Sequence, residues 1–302
     1  MIDNKKLKTI YQKIDLSDIQ QKYYNQKVPD DIVYFYNDSY FCWNIVKDFV
    51  VSCNKYLFLK SHNITLHIYY LDNINIPSTK LYSVLKNCIT ITKYFDMQIN
   101  FDIHIVLYPE KRYLPLKNEI LDCKNINGGF TFLKSEKIFI FREEELSKTV
   151  LHEILHHCNM IHIDEYNENN IRRLKQCFNI SHKTKLIPNE AVVEFFATIF
   201  HSKFMSFETQ IPYQIILNLE KDHSIKQSNK IKILQGTHEW YEKTNAYCYI
   251  IFKTILLLND ENFLKNYNLN QNFITSFIIE NNKIPHIDID QTDKSLRMTL
   301  FG

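Results

Sequence analysis

Glycine is scarce in this chain: 302 residues hold only four. That scarcity excludes a Pro/Gly/Ser-rich linker marking a clean domain boundary, and no internal repeat is visible. The seven cysteines (Cys42, Cys53, Cys88, Cys123, Cys158, Cys177 and Cys248) are odd in number, scattered, and without C-x-x-C spacing. They fit reduced, mostly buried thiols and argue against a disulfide framework. The first residues, Met1 to Lys6, lack the apolar run of a signal peptide. The apolar stretch Tyr247–Leu258 is interrupted by Lys253 and falls short of the ~20 residues that a membrane helix needs. A net charge of +2 comes with no basic block interleaved with aromatics. Neither a nucleic acid nor a membrane is therefore expected as a partner, and a cytoplasmic location is the expectation.

An apolar share of 45% against 23% charged residues is an ordinary globular balance, so a chain of this length buries a sizeable core. The first 60 residues mix aromatic and polar groups and read as a helical segment. Ile64–Tyr70 alternates like a strand, Ser78–Phe95 has helical spacing, and Phe101–Tyr108 alternates again. Phe130–Phe132 and Lys137–Phe141 read as a hairpin or one long edge strand. After Met160 the pattern turns helical: Ile171–Phe178, Asn189–Lys203, Tyr213–Leu219 and Trp240–Leu258. The expected fold is α+β: a small mixed sheet with helices on one face over 61–159, a mainly helical lobe over 160–302, and a cleft between them.

The chemistry concentrates in His152-Glu153-Ile154-Leu155-His156. On a helix, residues four apart lie one above the other, so the two imidazoles can share one cation. Glu153 sits about 100° round the axis, placed to reach a water on that cation without ligating it. Around the motif, Leu146, Val150, Leu151, Ile154, Leu155 and Cys158 form an apolar stripe, with the histidines opposite. The run Glu143-Glu144-Glu145 suits the start of such a helix. Zinc hydrolysis needs this combination together with a third ligand and an open position.

Two residues compete for the third place. Glu190 follows Pro188, a favoured helix start, and Val192, Val193, Phe196, Ile199 and Phe200 form the buried face of that helix. Glu194 stacks one turn beyond Glu190, so one carboxylate can ligate while the other accepts a ring N–H of a ligating histidine. The alternative is His162, which requires a sharp turn at Asn159, a place that glycine usually fills. Glu190 is preferred, because two aligned glutamates beside a buried apolar face suit a metal site better than an asparagine turn. His157, His182 and His201 read as surface or packing residues.

The pair of motifs, His152–His156 and Asn189-Glu190-Ala191-Val192-Val193-Glu194, resembles the gluzincin (thermolysin-like) group of zincin metallopeptidases. The resemblance covers about residues 127–201. It implies a zincin-like fold, one zinc ion held by His152, His156 and Glu190, Glu153 as general base, and Glu194 orienting a ligand. Aspartate is more usual where Glu194 stands. It also implies an oxyanion donor from the second lobe, for which His238 and Tyr247 are the candidates. A substrate strand would be held at the sheet edge, where Gly128, Gly129 and Phe130 stand and paired glycines would let another backbone approach. Segments at Lys111–Pro115, Asn127–Thr131 and Arg142–His157 are similar to uncharacterised zincin-like proteins of large DNA viruses, which would place the chain in host cytoplasm or a virion. The expected activity is peptide-bond hydrolysis by a zinc-activated water, with a peptide or protein as substrate. The competing expectation is a zinc-binding, catalytically inactive structural or interaction protein; an intact Glu153 speaks against it.

Overall fold

A computed structural model describes residues 2–76, 78–116, 119–133, 135–161, 163, 166–290 and 292–301. It contains two compact units, one built from Asp3–Lys111 with Asn127–Cys158, the other chiefly from Arg112–Ile126 with Asn159–Phe301.

In chain order the first unit contains α1 (Asn4–Lys13), β1 (Gln20–Tyr24), α2 (Asp30–Asp38), α3 (Asn44–Ser52), β2 (Lys55–Ser61), β3 (Ile64–Tyr70), α4 (Ser78–Tyr94) and β4 (Phe101–Val106). The short α5 (Cys123–Ile126) belongs to the other unit, and the first resumes with β5 (Gly129–Thr131), β6 (Lys137–Ile140) and α6 (Leu146–Leu155). The six strands form one open mixed sheet in the order β1-β2-β3-β4-β6-β5. β1, β2 and β3 are antiparallel, β3, β4 and β6 run parallel, and β5 returns antiparallel to β6 as an edge. The parallel pair β3–β4 needs a long crossover, which α4 supplies.

Both faces of the sheet are buried at β3, β4 and β6, while the edge strand β1 is exposed, and strand alternation divides the apolar residues between the faces. On one face, Tyr69, Val106, Phe130, Phe139 and Phe141 pack against Ile32 and Tyr36 of α2 and Val46 and Val50 of α3. The buried Tyr36 hydroxyl donates to the carbonyls of His104 and Ile140, pinning α2 to two strands. The alternate residues, Leu66, Ile68, Ile103, Ile105, Ile138 and Ile140, are all fully buried on the opposite side, where α4 and α6 pack. The expectation of helices on one face only is therefore corrected. The continuous apolar run Ile138–Phe141 at β6 carries the signal of double burial, whereas β4 alternates and hides it, with Asp102 and the buried His104 on the α2 face.

A row of rings crosses the whole sheet, one per strand. Tyr24, Tyr56, Tyr69, His104, Phe139 and Phe130 stack in succession, with centroids 5.5, 5.2, 6.2, 5.4 and 5.0 Å apart. Such pairs contribute about 0.5–1.5 kcal/mol each beyond their burial. Residues 1–60 are thus helical only in part: they also supply β1 and most of β2, where Leu57, Leu59 and Ser61 are buried and the alternate residues are half-buried or exposed.

The second unit is mainly helical: α7 (Glu168–Phe178), α8 (Asn189–Thr209), α9 (Tyr213–Gln235), a π-helical turn at Cys248–Phe252 leading into α10 (Lys253–Leu258), α11 (Asp260–Asn266) and α12 (Gln271–Glu280). Helix α8 is its centre: every residue from Ala191 to Phe204 is buried. Helix over 240–258 begins only at Ala246, since Trp240 and Glu242 lie in isolated bridges to Ile180 and Leu121. Among the described residues, no helix is long and apolar enough to cross a membrane.

Candidate metal centre

Helix α6 carries the H-E-x-x-H motif. Leu146, Val150, Leu151, Ile154 and Leu155 are fully buried, as the spacing requires. The helix is shorter than the expected 143–158, however. Glu145 occupies its N-cap in the left-handed region at φ 60°, with no side-chain cap, and His156 forms its C-cap. Glu143–Glu145 therefore precede the helix and do not form its first turn. Nor is the helix amphipathic in place: all ten residues are buried, with Lys148 at 0% exposure and His152 and Glu153 at 6% each.

The two imidazoles converge. Nε2 of His152 and Nε2 of His156 lie 3.0 Å apart, with the rings inclined at 73°. Two nitrogens on one tetrahedral zinc, each with a bond of about 2.0–2.1 Å, stand about 3.3 Å apart. The observed spacing is close to that value.

Glu190 lies in the first turn of α8, after Pro188 at the N-cap. Asn189 beside it is buried, and its Oδ1 accepts a hydrogen bond of 2.9 Å from the Ile163 amide, fixing the entry to the helix. One ligand atom each from His152, His156 and Glu190 lie within 4.8 Å of one another, the only such group of three or more His, Cys, Asp or Glu among the described residues. Two imidazoles and one carboxylate are a donor set that suits zinc, with a fourth position left for solvent. Glu194, one turn on, is fully buried. His162 lies outside the described residues.

No family model matches the chain, and no curated protein matches it.

The other expected site residues fall in three places. Gly128 and Gly129 lead into and open the edge strand; the Gly128 carbonyl accepts from the Phe141 amide at 2.9 Å. A Cβ at Gly129 would stand 2.7 Å from Ile140 Cδ1, 3.0 Å from the Phe139 carbonyl and 3.2 Å from Thr149 Cγ2. The close approach expected of a substrate backbone is thus taken by β6 and by the motif helix itself. The Phe130 side chain is core, 3% exposed and stacked on Phe139 and Phe41.

His238 is exposed on the loop after α9, its amide donating to the Gln235 carbonyl. Tyr247 is buried against Phe178, Trp240 and Phe252, and its hydroxyl donates to Gln235 Oε1 at 3.2 Å. Burial pushes its phenol well above the usual range. These contacts place Tyr247 in the packing of the helical unit.

Several buried polar residues carry no signal in the sequence. Thr131 Oγ1 lies 2.8 Å from His157 Nε2, tying β5 to the end of the motif segment, while the same ring packs edge-on to Phe101. Arg112 and Arg142 are buried; their Nε atoms donate to the carbonyls of Ile126 and Asn127 at 2.6 and 3.0 Å. They hold the stretch that enters β5. Glu242 is buried and accepts from the Tyr247 amide at 3.1 Å, and burial lifts its carboxyl to about 8. None has a local pattern to announce it, since each partner lies on a different element.

Proposed function

We propose that this chain is a zinc-dependent metallopeptidase with a zincin-like fold, in which His152, His156 and Glu190 hold one zinc ion. The observation that supports this most is the 3.0 Å approach of the two Nε2 atoms with a Glu190 oxygen in the same small group. Those three residues would hold the ion, which would supply an acidified water, with a pKa of about 7, and a Lewis acid for a carbonyl oxygen.

The protein's own residues do the rest. Glu153 follows His152 on the same helix, does not belong to the ligand group, and is 6% exposed, a desolvated place for a carboxylate that takes a proton from water and returns it to a leaving amine. Burial of His152 in α6 restricts the orientation of its ring, and His156 follows as the half-buried C-cap of the same helix. Glu194 is the second carboxylate of α8 and suits the task of orienting a ligand.

The experiment is a comparison of wild type with Glu153→Gln on a peptide library, with zinc measured in both. Cleavage by wild type, lost in the variant at unchanged zinc content, is the expected result. A wild type that holds zinc and cleaves nothing would overturn the peptidase reading in favour of a zinc-binding, inactive protein.

A further inference from the structure

Helix α8 opens without a cap of its own: Pro188 stands at its N-cap and offers no side-chain hydrogen bond to the first-turn amides. The place of Glu190 is therefore set by what neighbouring segments do to residues 187–189. One tie is the Ile163 amide, which donates to Asn189 Oδ1 at 2.9 Å. Another comes from Cys248, which is fully buried and whose sulfur accepts from the Ile187 backbone amide. The Ile187 carbonyl in turn accepts from the Glu190 amide at 3.0 Å. A short bonded path thus runs from the Cys248 sulfur through one residue to the backbone of Glu190. The two side chains are also electrostatic neighbours. Burial raises the thiol well above its usual range, and the charges of Glu242 and Glu190 add to that.

The backbone that carries Cys248 is unusual. Cys248–Phe252 is a π-helical turn, in which the Lys253 amide reaches back five residues to the Cys248 carbonyl. Such turns are rare, take up an extra residue, and occur often at functional sites. Before the turn, the Tyr247 amide is held by Glu242. Beyond it, Lys253 donates to Ser224 Oγ and to the Met298 carbonyl, and Ile255, Leu256 and Leu257 are fully buried. Both ends are thus fixed by contacts of their own. Without the extra residue, Cys248 would turn about 100° out of register with the helix that follows. The turn packs against α8, so the added residue keeps the sulfur at the entrance to that helix.

We propose that Cys248 is a positioning residue for the third zinc ligand: by holding Ile187 it sets the first turn of α8, and with it Glu190. The sulfur is not itself a ligand, since the group formed by His152, His156 and Glu190 contains no cysteine. The inference rests on the proposed metal centre, and its test reads metal affinity and coordination in place of turnover.

Zinc affinity is measured by competition with a chromophoric chelator in Cys248→Ala, which removes the acceptor, and in Cys248→Ser, which keeps one. Cys248→Ala is expected to bind zinc about tenfold more weakly, and Cys248→Ser to stay within about threefold of wild type. The decisive comparison uses Glu190→Ala protein. There, adding Cys248→Ala is expected to change zinc affinity by less than about twofold, because the contact acts only through the glutamate. With cobalt(II) in place of zinc, Cys248→Ala is expected to show an altered visible spectrum. Should the alanine variant not fold, Cys248→Val carries the same comparisons. Equal losses in the two backgrounds, or a serine variant as weak as the alanine one, assign Cys248 to packing and overturn the inference. An alanine variant that matches wild type in affinity and cobalt spectrum overturns it too. In each of these cases wild type still holds zinc and the metal centre stands; a wild type that binds no zinc overturns both.

Discussion

Gly129 is a residue whose meaning changes between sequence and structure. Its pairing with Gly128 in a glycine-poor chain marks the position as special, yet the reason is internal: a methyl there meets Ile140, the Phe139 carbonyl and Thr149 of α6. Since one of these atoms is backbone, the strand must shift. Gly129→Ala is expected to cost about 1–3 kcal/mol, read as a lower denaturation midpoint. His104 is the second informative residue. It is 4% exposed, stacked between His67 and Phe139, and burial lowers its pKa from 6.5 to about 3. A folded-state pKa below the unfolded one gives stability that is present above pH 6.5 and lost as pH falls toward 3, by up to about 1.4 kcal/mol per pH unit. Acid denaturation of His104→Phe should show a shallower slope across that window; an identical slope would remove the residue from the account. Glu242 has the opposite sign. Its carboxyl is raised by burial to about 8, so its contribution falls as pH rises from about 4.5 through 8. Glu242→Gln should flatten that alkaline limb in a stability titration.

At the scale of elements, much of the site was legible. The boundaries of β3, α4 and α8 begin where periodicity places them, at Ile64, Ser78 and Asn189. The i and i+4 spacing of His152 and His156 is a property of one helix, and their nitrogens meet as it requires. Less legible was the extent of α6, because the acids before it are buried or turned by tertiary packing; Glu145 is 0% exposed and left-handed. The ligand assignment is tested on these two helices. Glu190→Ala is expected to weaken zinc binding at least about tenfold in a competition with a chromophoric chelator, with His162→Ala near wild type. The reverse order would move the third ligand to His162. Thr131→Val removes the bond between β5 and His157 at the cost of one hydrogen bond, about 1 kcal/mol.

Across the whole molecule, each unit has its own core and its own means of closing it. In the sheet unit the ring row from Tyr24 to Phe130 ties all six strands together. In the helical unit, residues 293–301 lie along α9 and are held there by buried polar groups. Glu220 accepts from the Thr299 hydroxyl and from the amides of Leu300 and Phe301; Lys230 donates to Asp293 and to the Ser295 carbonyl; Lys253 donates to the Met298 carbonyl. Burial raises the Glu220 carboxyl. Removing 295–301 would strip these partners from groups that the fold desolvates. A loss of about 3 kcal/mol or more is expected, measurable as a lower melting temperature. A truncated chain that melts like the full one would show that this segment only lies on the surface.

The sequence by itself determined the motif helix, the strand–helix–strand frame around it and the helical character after residue 160, and it nominated the proposed ligands. All of these depend on periodicity and on neighbours a turn apart. Tertiary structure alone decided that both sheet faces are covered at β3, β4 and β6, that Gly129 packs against α6 and β6, and that Tyr247 spends its hydroxyl on Gln235. The reason is one of range: local pattern fixes which way a side chain leaves its own element, while packing between segments far apart in the chain fixes what it meets.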